Sequence, residues 1–515
     1  MHPSRPLVAL TLTCALSAQN DFDLDKLTSG TLGSNLVLTV ANGPANGLGM
    51  MAISYSAGPS PIAAFDPQDP RSLQVGTELA SAWRLLLLDG QGNAAAGLSL
   101  PINPAFTNLV WHWQALTLAT SGPRLVGPIS NPAVTQTSIA NTGQLAPASL
   151  AAARGFAASF LDRNNNAGQG DVVITGGGSG SLTNATGLQS TEVWDLRRMR
   201  RLAGANMTTS RALHLAVTMA DGRTLLIGGS NATGTVLASC EIYNPVSNTY
   251  TATGSMGTAR TLHAACLLAD GRVMVAGGTS DLTDTTAAIT STLTSVEIYN
   301  PTTGTWSNGP ALGGRRLAPA MTLLPNNQIM VSGGVEVGFL FGLPISAVST
   351  TAVQRWNPTT NTWTNGPNMN QDRTGHHYNQ VTLDDGRVLM TGGTLVPNLL
   401  GAANATPIQG AEAYNPATNT WATHNMPTAR ALHSATKLAD GRVVVCGGAQ
   451  GTLTTPVSID NVEVFQPASN TWTVLPSLTG PRSAHAAALL PDGTLALFGG
   501  QGASTTVATV EMLRF

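Results

Sequence analysis

Residues 260–306 read RTLHAACLLADGRVMVAGGTSDLTDTTAAITSTLTSVEIYNPTTGTW. Two short apolar runs, 264–268 and 273–276, flank Asp270-Gly271, and a Gly-Gly pair closes the second. Such runs are too short for helices and lack polar alternation, so they read as strands buried on both faces. Asp-Gly between apolar runs signals a tight hairpin, with both turn residues expected at positive φ. A second pair of strand-like runs, ending at Tyr299 and starting at Thr305, encloses NPTTG. Pro fixes φ early in that turn, and Gly304 accepts the left-handed conformation. The stretch therefore predicts two hairpins, or four antiparallel strands.

The same unit recurs along the chain. Gly-Gly pairs begin at 176, 228, 277, 333, 392, 447 and 499, at spacings of 52, 49, 56, 59, 55 and 52. Asp-Gly turns precede them at 221, 270, 385, 440 and 492; Asn326-Asn327 replaces the fourth, and a longer loop, 162–171, replaces the first. Glu241–Tyr250, Glu297–Trp306, Gln354–Trp363, Glu412–Trp421 and Glu463–Trp472 are each nine apart. The connection from Gly pair to acidic position varies by contrast, running only from 499 to 511 in the last unit but from 333 to 354 in the fourth. A lone four-stranded sheet cannot cover both of its faces, so the units must pack on each other, and radial packing leaves only short edges.

The recurring Gly pairs (Gly228-Gly229 and Gly277-Gly278 among them) and the downstream Trp306, Trp363, Trp421 and Trp472 resemble kelch repeats over residues 151–515. The resemblance implies an all-β fold: a seven-bladed kelch β-propeller, residues 133–515, preceded by a small β-sandwich. The last unit reaches Phe515 without a fourth strand, so 133–145 is expected to supply that strand and close the ring. Trp421→Ala is expected to cost about 3–5 kcal/mol if the indole is buried between blades.

Residues 1–18 have the order of a secretory signal peptide: His2 and Arg5, an apolar run 7–16, then small residues. The expected location is secreted or cell envelope, with no integral membrane segment after cleavage. Strand-like runs at 35–40, 50–55, 82–88, 97–102 and 109–118 predict the sandwich, residues 28–132. GNAAAGLSLPIN and NLVWHWQALTLA there resemble an accessory sandwich module of large secreted bacterial proteins. Trp111 and Trp113, two apart on a strand, share a face as a core pair or a sugar-stacking platform.

The chain of 515 residues has 25 Lys+Arg, 27 Asp+Glu and net charge −2, with only 10% charged residues. That excludes an electrostatic nucleic-acid grip, and with Lys26 and Lys437 as the sole lysines there is no polybasic membrane patch. Cys240, Cys266 and Cys446 sit in apolar runs and read as small buried hydrophobes.

Arg211, Arg260, Arg316, Arg430 and Arg482 stand in one constant register ahead of the Gly pairs at 228, 277, 333, 447 and 499. Arg373 is two off that register, and Arg154 is displaced by the first unit's loop. At one structural level they would form a ring. The kelch resemblance implies that such arginines line the central funnel and grip acidic ligands; alternatively each pairs with an acid in a neighbouring blade. His214, His263, His433 and His485 each come three positions after such an Arg and read as blade-packing residues rather than metal ligands. Copper-radical oxidases with a kelch domain, as that resemblance implies, need a cysteine-crosslinked Tyr and a Tyr-His pair; His376-His377-Tyr378 has the reverse order. The loop with Asp162, Asn164, Asn166 and Asp171 lacks the Gly and Glu of a calcium loop. The expected function is a non-catalytic binding or scaffold protein for protein or glycan ligands, without metal or cofactor. The alternative is a carbohydrate-active enzyme, galactose oxidase-like or sialic-acid-processing, that uses the arginine funnel.

Overall fold

The computed structural model describes residues 23–515 apart from 27–30, 33, 65–66, 68, 77–78, 80–82, 101, 103, 120–123, 163–170, 181, 183–184, 196–198, 342, 377–378, 400–403 and 453–454. The signal-peptide reading of residues 1–18 thus lies outside the described residues, as do His377, Tyr378, Asn164 and Asn166. The chain divides into two compact units: 37–98 with 110–134 and 23–26, and 135–515 with 27–36 and 99–109. The expected sandwich, residues 28–132, draws on both units; among its described residues, the Leu32 and Asn108 amides donate to the carbonyls of Ser138 and Thr137.

The first unit is all-β. Leu48–Ser54 pairs with Arg84–Leu87 on one side and Val110–Leu118 on the other. Its core gathers Ala52, Ile62, Leu73, Val75, Leu116 and Val126.

Among its described residues the second unit contains seven four-stranded antiparallel sheets in sequence order. In the third, Ala264–Leu267 pairs with Val273–Ala276, which pairs with Val296–Asn300 and then Thr305–Asn308. The Asp-Gly turns differ from expectation in one respect. Gly222 and Gly271 take φ of 83° and 86°, while the aspartates stay out of the left-handed region. Arg223 and Met219 close the loop, with the Asp221 carboxylate accepting from the Arg223 amide. A type I turn followed by a left-handed Gly needs only one residue at positive φ. In the second hairpin Asn248, Gly304, Asn361, Asn419 and Asn470 occupy the left-handed position.

The apolar core lies between consecutive sheets. One cluster joins Leu225 and Ile227 of the second sheet to Val273 and Val275 of the third; others join third to fourth, fifth to sixth and sixth to seventh. The seventh also packs on the first: Trp194 meets Phe498 edge-on at 6.0 Å, and Ser159 Oγ donates to the Ala487 carbonyl. The seventh sheet takes its fourth strand from upstream, Gly143–Leu145 lying antiparallel to Val510–Leu513.

The tryptophans tie neighbouring units together from partly buried positions. Trp421 Nε1 donates to the Pro367 carbonyl at 2.9 Å, and the ring lies 5.0 Å from Tyr414. Trp306, Trp363 and Trp472 donate equivalently to Gly254, Pro310 and His424. The condition attached to Trp421, burial between blades, is met only by half, because the outermost strand keeps one face in water. Trp421→Ala is expected to cost about 2–3 kcal/mol, measured as a shift in urea midpoint. A shift no larger than that of exposed Thr420→Ala would contradict it.

Candidate functional site: the arginine seam and the axial cavity

All seven arginines are buried, and each meets a carboxylate within its own sheet or connection. Arg154 pairs with Glu192, Arg211 with Glu241, Arg260 with Glu297, Arg373 with Glu412, Arg430 with Glu463 and Arg482 with Glu511, at 2.6–2.9 Å. The acid comes from the same unit's sheet, not from a neighbouring one. In the fourth unit Gln354 replaces that acid, and Arg316 turns to Glu336 at 3.2 Å. The guanidinium fork also donates to the first glycine of its own pair: Arg211 Nη1 reaches the Gly228 carbonyl at 2.9 Å and Arg260 Nη1 that of Gly277 at 3.1 Å.

The arginine backbone faces the preceding sheet. The second glycine of each pair donates its amide to the next unit's arginine carbonyl: Gly177 to Arg211, Gly229 to Arg260, Gly278 to Arg316, Gly334 to Arg373, Gly393 to Arg430 and Gly448 to Arg482. Gly500 donates to Arg154, from the last unit to the first, at 2.8 Å. A Cβ on Gly228 would collide with the Arg260 carbonyl, and Gly228 has φ +56°, so the pair must be glycine. Arginine and Gly-Gly thus form one seam between sheets. The expectation of an arginine-lined funnel is corrected accordingly: none of the seven side chains lines the axial cavity.

That cavity, about 740 Å³, is lined from every repeat. Two positions after each arginine the backbone turns left-handed, at Phe156, Leu213, Leu262, Ala318, Gly375, Leu432 and Ala484, and all seven reach the cavity. The turn aims five of these amides at the neighbouring sheet: Phe156 donates to Ala484, Leu213 to Phe156, Ala318 to Leu262, Gly375 to Ala318 and Ala484 to Leu432. The sequence reading missed these positions. Gly375, a glycine where other units carry Leu, Ala or Phe, was the available signal.

Four buried histidines, His214, His376, His433 and His485, bridge adjacent sheets. His214 Nε2 bonds Thr175 Oγ1 at 2.9 Å, His376 Nε2 bonds Ser332 Oγ at 3.1 Å, and His433 Nε2 bonds Thr391 Oγ1 at 2.8 Å. His485 Nε2 bonds Ser434 Oγ at 2.9 Å. Burial, with Arg211 and Arg482 nearby, pushes the pKa of His214 and His485 down to about 3, and that of His433 well below its usual value. Among the described residues Cys240, Cys266 and Cys446 are free thiols, pushed up to about 11 at Cys240 and Cys266 and about 12 at Cys446 by burial. In the first unit Trp113 is buried and Trp111 half-buried, stacked at 6.3 Å, with Tyr55 4.7 Å from Trp111.

A family model for the Kelch motif matches residues 211–257, 260–313 and 438–479. The second unit is a β-propeller carrying kelch repeats. Among solved structures the chain is similar to one described as a novel fungal alcohol oxidase with catalytic diversity among the AA5 family, in complex with copper. The two share 17% identity at a TM-score of 0.54, covering 72% of this chain and 75% of that one; the likeness is one of fold. No curated protein matches this chain. Among the described residues the donors do not fit a copper centre. His376, His433 and His485 are each bonded to a hydroxyl of the adjacent sheet, and among the described residues no three His, Cys, Asp or Glu side chains converge. No helix among them is long and apolar enough to cross a membrane.

Proposed function

We propose that the chain is an exported, non-catalytic binding or scaffold protein. In this reading residues 133–515 form a seven-bladed propeller, closed by the strand Gly143–Leu145, and residues 28–132 form a β-sandwich. The observation that carries it is the division of labour within each repeat. Arginine, acid and glycine pair are engaged in the seam, while the connections after the Gly pairs differ in length from unit to unit, shortest at 499–511 and longest at 333–354. Variable loops on a rigid scaffold are where binding residues belong. The amide bond from Gly500 to Arg154 supports closure of the ring. The ligand is a protein or glycan held on the connection face.

A glycan array and an envelope-extract pull-down, followed by turnover assays on galactosides and sialosides, test the reading. Saturable binding without turnover is expected. Gln450→Ala with Thr452→Ala, on the connection after the sixth Gly pair where it borders the axial cavity, is expected to weaken binding about tenfold by removing two hydrogen-bonding side chains. Turnover of either substrate class would overturn the non-catalytic reading. Arg260→Ala cannot serve here, because Arg260 holds the seam.

A further inference from the structure

The fourth repeat departs from the others in several places at once. Asn326-Asn327 replaces Asp-Gly, Pro319 stands where five repeats have His, and Gln354 replaces the acid. It also carries the longest connection, folded as a hairpin of Val335–Leu340 with Leu343–Ser349. Leu340, Phe341, Leu343 and Ile345 are 53, 96, 69 and 60% exposed, and residues 337–349 contain no ionisable side chain. An exposed apolar cluster of this kind marks a binding surface. The hairpin's base is buried: Val335 and Val337 pack with Ile289 of the helix Thr285–Thr290 and with Val396. Val335, Ile289 and Val396 also line the axial cavity. Apolar side chains therefore lead from the tip, through this cluster, into the cavity.

The chemistry of the cavity narrows its guest. Its volume, about 740 Å³, lies in the range that holds a small molecule. Among the described lining residues there is no Asp, Glu, Lys or Arg, and Phe156 is the one phenyl ring. Three histidines line it, His263, His433 and His485; the Nε2 atoms of His433 and His485 are engaged by Thr391 and Ser434, and burial keeps these two imidazoles neutral at pH 7. The seven connections carry Asp281, Asp284, Glu336 and Asp460 and no basic residue. An anion would lose its hydration there without gaining a countercharge. We infer that the axial cavity binds an uncharged, chain-like apolar molecule of the long-chain alkanol class, gathered by the Val335–Ser349 hairpin. This rests on the reading of the second unit as a closed binding propeller and adds a second ligand class to it.

The full-length protein is titrated with N-phenyl-1-naphthylamine, a neutral fluorophore, and the probe is displaced by hexan-1-ol, octan-1-ol, decan-1-ol and decanoate. One saturable site is expected, with alkanol affinity rising about fourfold per methylene. Decanoate should bind about tenfold or more weaker than decan-1-ol. Ala216→Trp, which sets an indole into the cavity from the inner strand Leu215–Thr218, should abolish saturable binding while leaving the circular dichroism native. Phe341→Ser with Ile345→Ser should slow probe association and leave one site. Absence of a saturable site, decanoate competing as well as decan-1-ol, or a folded Ala216→Trp protein that binds normally would each overturn the inference. If Ala216→Trp does not fold, the alkanol series and the decanoate comparison decide on the native chain. Alkanol binding lost with glycan or protein binding kept would sink this inference alone; both lost would sink the binding reading beneath it.

Discussion

Arg373→Met is expected to destabilise the protein by about 3–5 kcal/mol, because it strands a buried carboxylate. Arg373 and Glu412 are both fully buried and 2.7 Å apart. The guanidinium also donates to the Gly392 and Gly410 carbonyls at 2.9 and 2.8 Å, so truncation takes a donor from three acceptors and leaves the Glu412 charge without its countercharge. Burial lowers the Arg373 pKa and Glu412 opposes that shift, which makes the pair interdependent. Replacing both partners by apolar residues should not restore stability, unlike many buried ion pairs. Glu412 also accepts from the Asn370 and Gln371 amides at 2.6 and 2.9 Å, and those donors would be left unsatisfied. The fourth repeat supplies the control. Arg316 pairs with Glu336, whose side chain is 44% exposed and stays hydrated when released, so Arg316→Met is expected to cost about 1–2 kcal/mol. Urea unfolding at constant m-value reads both. Equal losses, or a loss under about 1 kcal/mol for Arg373→Met, would show that the seam is not held by these pairs.

The repeat was legible because each element leaves a mark in the sequence that is hard to disguise. A Gly pair recurs wherever a Cβ would strike the next unit's arginine carbonyl, and an Asn or Gly recurs at the left-handed position of five second hairpins, Asn248, Gly304, Asn361, Asn419 and Asn470. The register of arginine to Gly pair was legible too, but its meaning was not. Periodicity places seven arginines at one level without saying whether they point to the axis or into the sheet. That choice was decided by an acid far downstream in six repeats, and its distance along the chain varies with the connection between, from Arg482–Glu511 at the nearest to Arg373–Glu412 at the farthest. A partner at no fixed offset leaves no periodic signal. The left-handed residues at the cavity were opaque for a different reason. Leu213, Leu262 and Leu432 carry no mark of positive φ, since tertiary hydrogen bonds to the neighbouring sheet impose it against local preference. The boundary between the two modules left no mark in the sequence, because Leu32 and Asn108 flank strand-like runs of the first module yet bond to Ser138 and Thr137.

Unfolding should become steeply easier as the pH falls from about 6.5 toward 3, driven by histidines that the fold keeps neutral. His214 and His485 have pKa values of about 3, and His433 lies well below its usual range, each mainly through burial. An unfolded chain titrates histidine near 6.5. Within that window the unfolded state takes up protons that the folded state refuses, so the contribution is intact above about 6.5 and is lost as the pH drops through the folded values. Each such histidine raises the unfolding constant about tenfold per pH unit, and three together about a thousandfold in the steep part of the window. Asp270 and Asp385, held low mainly by their Arg272 and Arg387 partners, act in the same direction, but only below about pH 4. Asp221 joins them: burial raises its carboxyl, and the hydrogen bonds from Arg223 more than reverse that. Urea midpoints at pH 7.5, 5.5 and 4.5 separate the two groups. His214→Gln and His485→Gln should each flatten the dependence by about one proton while lowering stability at pH 7.5 through the lost bonds to Thr175 and Ser434. A midpoint unchanged from pH 7.5 to 4.5 in the native chain would mean that the imidazoles take up protons within the fold, and that the bridges between sheets accept a charged ring.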